Sequence, residues 1–393
     1  MAKIGIKRFL KIDRSKIFMS EEQRKPLIGI TLGDYNGIGP EIILKAVQGH
    51  QLNNFCTPVI YGSTRVLNRY RQLLNMKELQ LFGAQNIDQV NRKQLNVINC
   101  WNDHQSDVEP GKITEAAGKA AFAALRTAVE DLKAGKIDAL VTAPINKDNI
   151  QGPDFRFPGH TEYLAHAFKV KEALMFMVSD FLRVGVLTGH MPLEKVKEHI
   201  TAETLRNKIL QMLRSLKNDF GIQKPRLAVL GLNPHAGENG LLGTEEKEVI
   251  HPVIEEFRTK GDLVFGTFPS DGFFASSSFR QFDGVLAMYH DQGLIPFKTI
   301  AFHEGVNFTA GLPAVRTSPD HGTAYDIAGK NIADPASLLQ AIYLAIDVWQ
   351  IRSESREIAK NALRPKPHLS NQNKNSKEEK LPKEEFDKEQ DLF

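Results

Sequence analysis

Three histidines occupy equivalent positions, each following an apolar run that predicts a buried strand. His190 ends the segment LRVGVLTGH, His235 ends LAVLGLNPH, and His290 ends GVLAMYH. Because the carboxyl ends of parallel strands lie at one edge of a sheet, we expect the three imidazoles to converge. Neutral imidazole is a common ligand of divalent metals, and three of them leave positions open for a substrate. The pattern indicates a divalent metal site, although hydrogen bonds from each histidine to a loop carbonyl would explain it equally well.

Cationic and amide side chains in the same part of the chain favour an anionic ligand. Lys298, Asn307 and Arg316 follow the third histidine, and we expect Lys298 and Arg316 to lie in loops. His160 and Thr161 stand at the start of a predicted helix, where backbone N–H groups attract anions. Each cation alone would be a solvated surface charge, and Thr161 alone a helix cap. Together they predict binding of a phosphate or carboxylate group.

Two acidic side chains are candidates for orienting the imidazoles or for accepting a proton. They are Asp271 and Asp291, and we expect Asp291 to act in catalysis. The roles of His303, Asp320 and His321 are left unassigned. Four histidines lack any such context and are expected to be structural: His104, His199, His251 and His368.

The elements that must position these residues alternate between strand and helix, which is typical of an α/β fold with a largely parallel sheet. The clearest helix is predicted over 114–134, where Phe122, Leu125, Val129 and Leu132 recur at helical spacing. Shorter apolar runs that end in polar residues predict the strands. The histidines are thus expected at strand ends, where α/β sheets bind ligands.

Two α/β/α lobes that share the sheet and enclose a cleft are the expected organisation. A crossover near 145–160 suggests where the chain passes between them. The expected divisions are a basic, disordered leader (1–25), a first lobe (26–150 with 306–352), a second lobe (151–305) and a charged, disordered tail (364–393).

The first predicted strand, PLIGIT, leads into a glycine-rich loop, GDYNGIGPEI. A strand, a glycine-rich loop and a helix in this order can present backbone N–H groups to an anion. The spacing is not GxGxxG, and that fingerprint occurs nowhere else in the chain. A plain turn and a ligand-binding loop are therefore equally compatible with this segment.

Composition excludes several classes of protein. The 393 residues suffice for two domains, and no apolar run reaches the roughly 18 residues that a membrane span needs. Two cysteines form no disulfide framework, which favours the cytoplasm. The net charge is +3, but residues 1–18 carry +5, leaving −2 for the rest. The body of the chain therefore gives no signal for nucleic acid.

The basic residues 1–18 have three interpretations: a targeting peptide, a basic arm, or a stretch upstream of a natural start at Met19. The stretch has no long apolar core and no small-residue cleavage site, which favours the last two.

Taken together, the segments around these residues resemble the 4-hydroxythreonine-4-phosphate dehydrogenase family of vitamin B6 biosynthesis. The resemblance extends from about Leu27 to Trp349. Its segments, in order, are ITLGDYNGIGPEI, VTAPINK, PGHTEYLA, LTGHMPL, LGLNPHAGENG, GTFPSDGFF, AMYHDQGLIPFK and GVNFTAGLPAVRTSPDHGTAYDIAG. Tyr35 and Asn36 depart from the Pro-Ala that many relatives carry.

The resemblance implies oxidation of 4-phosphooxy-L-threonine with NAD, or NADP, to a β-keto acid that decarboxylates to 3-amino-2-oxopropyl phosphate. It implies a divalent metal (Zn²⁺, Mg²⁺ or Co²⁺) bound by the three histidines named first. The substrate-binding residues that it implies are His160, Thr161, Lys298, Asn307 and Arg316. Residues that bind the nicotinamide cofactor are not assigned.

The resemblance also implies a cytoplasmic homodimer with its active site at the subunit interface, and no nucleic-acid or membrane partner. It implies a fold like that of isocitrate and isopropylmalate dehydrogenases, which would account for the missing dinucleotide fingerprint. Relatives that oxidise threonate phosphates leave the substrate open. A metal-dependent phosphohydrolase or aldolase, and a binding protein without catalysis, are the alternative functions.

Overall fold

The computed structural model describes residues 24–49, 52–102, 107–171 and 173–361. The expectations for the tail and for residues 1–23 of the leader concern residues outside these ranges. The leader's last residues are described: Arg24 donates two hydrogen bonds to the carboxylate of Asp138, at 2.9 and 2.7 Å. None of the helices in the described ranges is long and apolar enough to cross a membrane.

Twelve strands in the described ranges form a single sheet. They are β1 (Leu27–Thr31), β2 (Thr57–Gly62), β3 (Phe82–Ala84), β4 (Asn96–Asn99), β5 (Ala139–Thr142), β6 (Leu174–Val178), β7 (Arg183–Val186), β8 (Arg226–Leu230), β9 (Leu263–Phe268), β10 (Gly284–Ala287), β11 (Val306–Ala310) and β12 (Val315–Pro319).

The same part of the chain contains ten α-helices. They are α1 (Gly39–Gly49), α2 (Thr64–Leu73), α3 (Glu115–Lys133), α4 (His160–Ala167), α5 (Val196–His199), α6 (Ala202–Asn218), α7 (His251–Thr259), α8 (Ser270–Ala275), α9 (His290–Ala301) and α10 (Ala336–Asn361). Short 3-10 or π turns fill several connections, among them Pro234–Gly240 and Glu246–Ile250.

The order of strands is β3-β4-β2-β1-β5-β12-β11-β6-β7-β10-β8-β9. All neighbours are parallel except three consecutive pairs, β12 with β11, β11 with β6, and β6 with β7. The expected fold class, α/β with a largely parallel sheet, is confirmed. Because three antiparallel pairings reverse the direction, β7, β10 and β8 run opposite to β1, β5 and β12. The lobe boundaries stay a prediction.

Both faces of the sheet are covered, and alternate strand residues enter different cores. In β5, Ala139 and Val141 pack in the core that contains Ile342 of α10. Leu140, between them, packs in the core that contains Leu125 of α3. Double coverage explains why these strands are continuous apolar runs in the sequence. The helix predicted over 114–134 is confirmed as α3.

The glycine-rich loop after β1 is buried against protein. A Cβ at Gly33 would approach the backbone oxygen of Pro144 to 2.3 Å, and one at Gly37 would approach that of Thr323 to 2.8 Å. Gly33 also has a positive φ of 70°. The glycines therefore allow close approach of neighbouring loops. The structure favours the packed turn over the anion-binding loop.

The segment after β10 is the helix α9, where the sequence analysis expected loops. Gly293 and Pro296 argue against a helix on sequence grounds. Gly293 is nevertheless required by packing, since a Cβ there would approach Val184 Cγ1 to 2.9 Å and Ala287 Cβ to 3.0 Å. The glycine thus lets α9 lie directly on β7 and β10.

The prediction that Lys298 and Arg316 lie in loops is therefore wrong. Lys298 lies in α9. Arg316 lies in β12, where its backbone pairs with Leu140 of β5. Regular structure holds both side chains more rigidly than a loop would.

Candidate active site

A cavity of about 460 Å³ is lined by residues inside the central strands and by the loops around them. It takes side chains from β6, β7, β11 and β12, from the start of α4, and from the segments after β5 and β12. Five residues that the sequence analysis selected line it: His160, Thr161, His190, Asn307 and Arg316. The structure thus brings together residues 156 positions apart in the chain, from His160 to Arg316.

Arg316 is a buried cation, 2% exposed, without a carboxylate at ion-pair distance in the described ranges. Its guanidinium donates to Thr309 Oγ1 at 2.9 Å and to Thr142 Oγ1 at 2.6 Å, and its Nε has no partner there. Burial lowers the pKa of Arg316 to about 9, although the carboxylate of Glu162 acts in the opposite direction. Burying an uncompensated charge is costly, so the arrangement fits an anionic ligand.

His160 and Asn307 add unsatisfied polar atoms to the same wall. His160 is the first residue of α4, and its Nε2 is enclosed without a described partner. Burial lowers the pKa of His160 well below its ordinary value, and the nearby cations Arg316 and Lys147 lower it further. Asn307 in β11 has a buried Oδ1 that is likewise unpartnered among the described residues. A neutral imidazole and an amide therefore face the cavity and can bind a polar substrate.

His190 and His290 are neighbours at the ends of β7 and β10. Their ring centroids lie 5.4 Å apart with the planes tilted by 42°. Burial lowers the pKa of His190, and Lys147 adds to this, which favours the neutral imidazole. His290 Nδ1 lies 2.7 Å from Asp291 Oδ1, which leaves Nε2 available. A ligating histidine commonly uses its second nitrogen in this way, so the pair fits a divalent metal.

His235 lies apart from this pair, on an exposed turn after β8. Five consecutive residues of the turn, from His235 to Asn239, have positive φ angles between 43° and 81°. No group of three or more His, Cys, Asp or Glu side chains in the described part of the chain is placed to hold a metal. One chain as described thus assembles two of the three expected ligands.

The turn that carries His235 is held by buried acidic side chains. Glu246 accepts hydrogen bonds from the backbone N–H of Asn233 at 2.7 Å and from its Nδ2 at 2.9 Å. Glu245 accepts from the same Nδ2 and forms an ion pair with Lys197. The hydrogen bond from Lys197 is the largest cause that lowers the pKa of Glu245, to about 2. The strained turn is therefore fixed from beneath by two carboxylates.

Lys298 borders the cavity through Asp320. Its Nζ lies 3.1 Å from Asp320 Oδ1 and 3.3 Å from the backbone oxygen of that residue. Burial raises the pKa of Asp320 despite the adjacent lysine. The ion pair leaves the lysine 40% exposed, so it can also contact a ligand.

Sequence reasoning left His321 unassigned, yet it lines the cavity. Its Nε2 is buried without a described partner, and burial lowers its pKa. The available signal was its position directly after a strand, the same signal that selected the metal candidates. Lys147 and Glu162 also line the cavity and were missed. Asp271, by contrast, lies exposed in the short helix α8 and does not line the cavity, so its role stays a prediction.

Comparison with known proteins gives a consistent result. The profile of the family described as pyridoxal phosphate biosynthetic protein PdxA matches residues 54–345. The 4-hydroxythreonine-4-phosphate dehydrogenase of Bacteroides thetaiotaomicron is 47% identical over 344 residues, covering 87% of this chain and 94% of that protein. The D-threonate 4-phosphate dehydrogenase of Cupriavidus necator is 42% identical over 320 residues, covering 81% and 95%.

Solved structures agree with the sequence comparison. The crystal structure of 4-hydroxythreonine-4-phosphate dehydrogenase from Klebsiella pneumoniae superimposes with a TM-score of 0.74 at 36% identity. The match covers 84% of this chain and 99% of that one.

Proposed function

The chain belongs to the PdxA family of pyridoxal phosphate biosynthetic proteins, and we propose that it oxidises 4-phosphooxy-L-threonine with NAD or NADP. It is an oxidoreductase, as its relatives are named. The β-keto acid that forms loses CO₂ and gives 3-amino-2-oxopropyl phosphate, a precursor of pyridoxal 5′-phosphate. The reaction takes place in the cytoplasm.

The single observation that supports this substrate class best is Arg316. A buried guanidinium whose partners among the described residues are two hydroxyls, beside a cavity with further unsatisfied polar atoms, suits a small ligand with anionic ends. Arg316 and Lys298 would bind the phosphate and the carboxylate between them. His160, Thr161 and Asn307 would hydrogen bond the remaining polar groups. Fixed contacts at both ends orient the reacting carbon, which lowers the entropic cost of reaction.

His190, His290 and His235 would hold a divalent ion, Zn²⁺, Mg²⁺ or Co²⁺. When bound, such an ion would supply Lewis acidity toward the substrate oxygen. Since the described part of one chain brings together the first two histidines and not the third, we propose that a homodimer completes the set, with His235 supplied by the second copy. The exposed position of His235 is suited to such a contact.

Side chains of the protein would then transfer protons and bind the substrate. The hydroxyl carbon gives up a hydride to the nicotinamide, and the hydroxyl proton passes to a base. We assign this base to Asp291, whose carboxylate is 68% exposed and hydrogen bonds His290. When CO₂ leaves, the electrons of the broken C–C bond stay on the carbon next to the ketone. That carbon then takes up a proton. The neutral imidazole of His160 can donate a hydrogen bond to the substrate without adding charge.

A second candidate substrate is D-threonate 4-phosphate, on which the Cupriavidus necator relative acts by its name. It carries a hydroxyl where the threonine derivative carries an amine. Formation of NADH or NADPH with each compound, at equal metal and enzyme concentrations, decides between them. A higher kcat/KM for D-threonate 4-phosphate would show that this compound, and not 4-phosphooxy-L-threonine, is the substrate. Release of inorganic phosphate without reduced cofactor would indicate a phosphohydrolase instead.

A further inference from the structure

The three segments that carry the histidines are joined by a hydrogen-bond network of their own. They follow β7, β10 and β8, which are consecutive parallel neighbours in the sheet. The strands end at Ala287 in β10 and at Leu230 in β8. Beyond those points, the three segments are joined by the backbone hydrogen bond from Thr188 N–H to the Met288 oxygen and by side-chain hydrogen bonds of Thr188 and Gln292.

Gln292, in the first turn of α9, connects two of these segments. Its Oε1 accepts a hydrogen bond from the backbone N–H of Met288 at 2.7 Å. Its Nε2 donates to the backbone oxygen of Gly231 at 2.6 Å. The side chain is 9% exposed, so loss of either contact would leave a buried backbone group unpaired.

Thr188 connects the third segment, the one after β7, to Met288. Its Oγ1 donates to the backbone oxygen of Met288 at 2.8 Å, and its N–H approaches that oxygen to 3.2 Å. Thr188 is 3% exposed and Met288 is fully buried. The backbone of Met288 therefore accepts a hydrogen bond from Thr188 at its oxygen and donates one to Gln292 from its N–H.

The anchored residues stand close to the histidines in sequence. Thr188 is two residues before His190, Met288 is two before His290, and Gly231 is four before His235. Gly231 also supports the turn directly, since a Cβ there would approach Ala236 Cα to 2.9 Å. A shift of Gly231 would therefore move the backbone beside His235.

We propose that Gln292 and Thr188 form a strand-end clamp that sets the relative positions of the three histidines. They are positioning residues for the metal site, which act through the backbone of Gly231 and Met288. The inference rests on the metal site of the proposed function. Since every copy of the chain carries the clamp, it applies whether His235 serves its own site or that of a second copy. Loss of contacts that orient metal ligands commonly weakens metal binding by about 10- to 100-fold.

The test is a Co²⁺ titration of the full-length, metal-free protein. Binding is measured by calorimetry and by the visible absorption of the bound ion. Gln292→Leu and Thr188→Val remove the clamp contacts and are expected to raise the Kd for Co²⁺ by about 10- to 100-fold and to alter the spectrum. Thr188→Ser keeps the donor and is expected to restore the wild-type affinity. Thr299→Val removes a hydroxyl contact to Ile295 on an exposed part of α9 and serves as the matched control.

The outcomes separate the clamp from the metal site itself. A folded Gln292→Leu protein with wild-type Kd and spectrum would overturn the clamp alone. If that variant does not fold, equal Co²⁺ affinity in Thr188→Val and Thr188→Ser would overturn it. A purely structural role would lower the melting temperature of the metal-free variants without changing their Co²⁺ affinity. Wild-type protein that binds no Co²⁺ would overturn the proposed metal site and the clamp with it.

Discussion

His190 and His290 lie 5.4 Å apart, ring centroid to ring centroid, at the ends of two adjacent parallel strands. Rings at this distance can share one ion, and the Asp291 carboxylate leaves Nε2 of His290 free to bind it. The pair is the geometric centre of the proposed chemistry.

Replacing His235 with alanine is expected to abolish metal binding and activity while the fold remains. The side chain is exposed, so the free energy of unfolding should change by less than about 0.5 kcal/mol. Metal content by elemental analysis and urea unfolding of the metal-free protein measure the two effects. Global unfolding of the variant would show instead that His235 has a structural role.

Mixing two inactive variants tests whether the site is shared between copies. If His190 and His290 come from one chain and His235 from the other, mixed dimers of His235→Ala and His290→Ala contain one intact site. Random exchange of subunits should then restore about a quarter of the wild-type activity. Light scattering measures the dimer, and each variant alone is the control. No recovery in dimers that have exchanged would place all three histidines in one chain.

Arg316→Lys is expected to lower kcat/KM by about 30-fold or more, since truncating a buried charge contact costs roughly 2–5 kcal/mol. A lysine keeps the charge but cannot reach both threonine hydroxyls and a bidentate anion. Steady-state kinetics measures the effect, and Arg258→Lys, at an exposed ion pair with Glu255, is the control. Unchanged kinetics in Arg316→Lys would remove this residue from the substrate site.

The lowered pKa of His160 predicts the direction of a pH effect. The folded state holds this imidazole neutral, whereas the unfolded chain binds a proton below about pH 6.5. The unfolded state therefore binds more protons, so stability falls as the pH drops below that value. Urea unfolding at pH 7.5 and 5.5 should show a smaller loss for His160→Gln than for the wild type. Equal losses would mean that His160 titrates normally.

The lowered pKa of Glu245 predicts an effect in a more acidic range. With a pKa of about 2 in the folded protein, its contribution to stability is complete above about pH 4.5 and is lost as the pH falls towards 2. Glu245→Gln should destabilise the protein by roughly 1–2 kcal/mol at pH 7, with a smaller difference at pH 4. Denaturant unfolding measures both values. Glu255→Gln, at an exposed pair, should change stability by less than about 0.5 kcal/mol.

Much of the fold was predictable because buried strands are short apolar runs. The strand expected over 226–230 is present as β8, and the rule of polar residues after strands selected His190 and His290, whose rings are neighbours in the structure. The helix α9 was missed because Gly293 and Pro296 are helix breakers by local propensity, whereas tertiary packing requires the glycine.

Other features depended on contacts that have no local signal. The antiparallel pairs around β11 and β6 arise from long-range pairing, so strand ends could not all be assigned to one edge. The left-handed turn at His235 is built mostly from non-glycine residues, and Glu245 and Glu246, ten or more positions along the chain from His235, hold it in place. The burial of His321 Nε2 without a described partner depends on the tertiary structure around the cavity, so the sequence could not predict it.

The most direct test of the proposed function is the stoichiometry of the complete reaction. Wild-type protein reconstituted with Zn²⁺, Mg²⁺ or Co²⁺ receives 4-phosphooxy-L-threonine and NAD or NADP, and reduced cofactor and CO₂ are measured together. We expect one reduced cofactor for each CO₂, with both lost after chelation of the metal. Phosphate release without reduced cofactor, or substrate binding without turnover in the reconstituted protein, would contradict it.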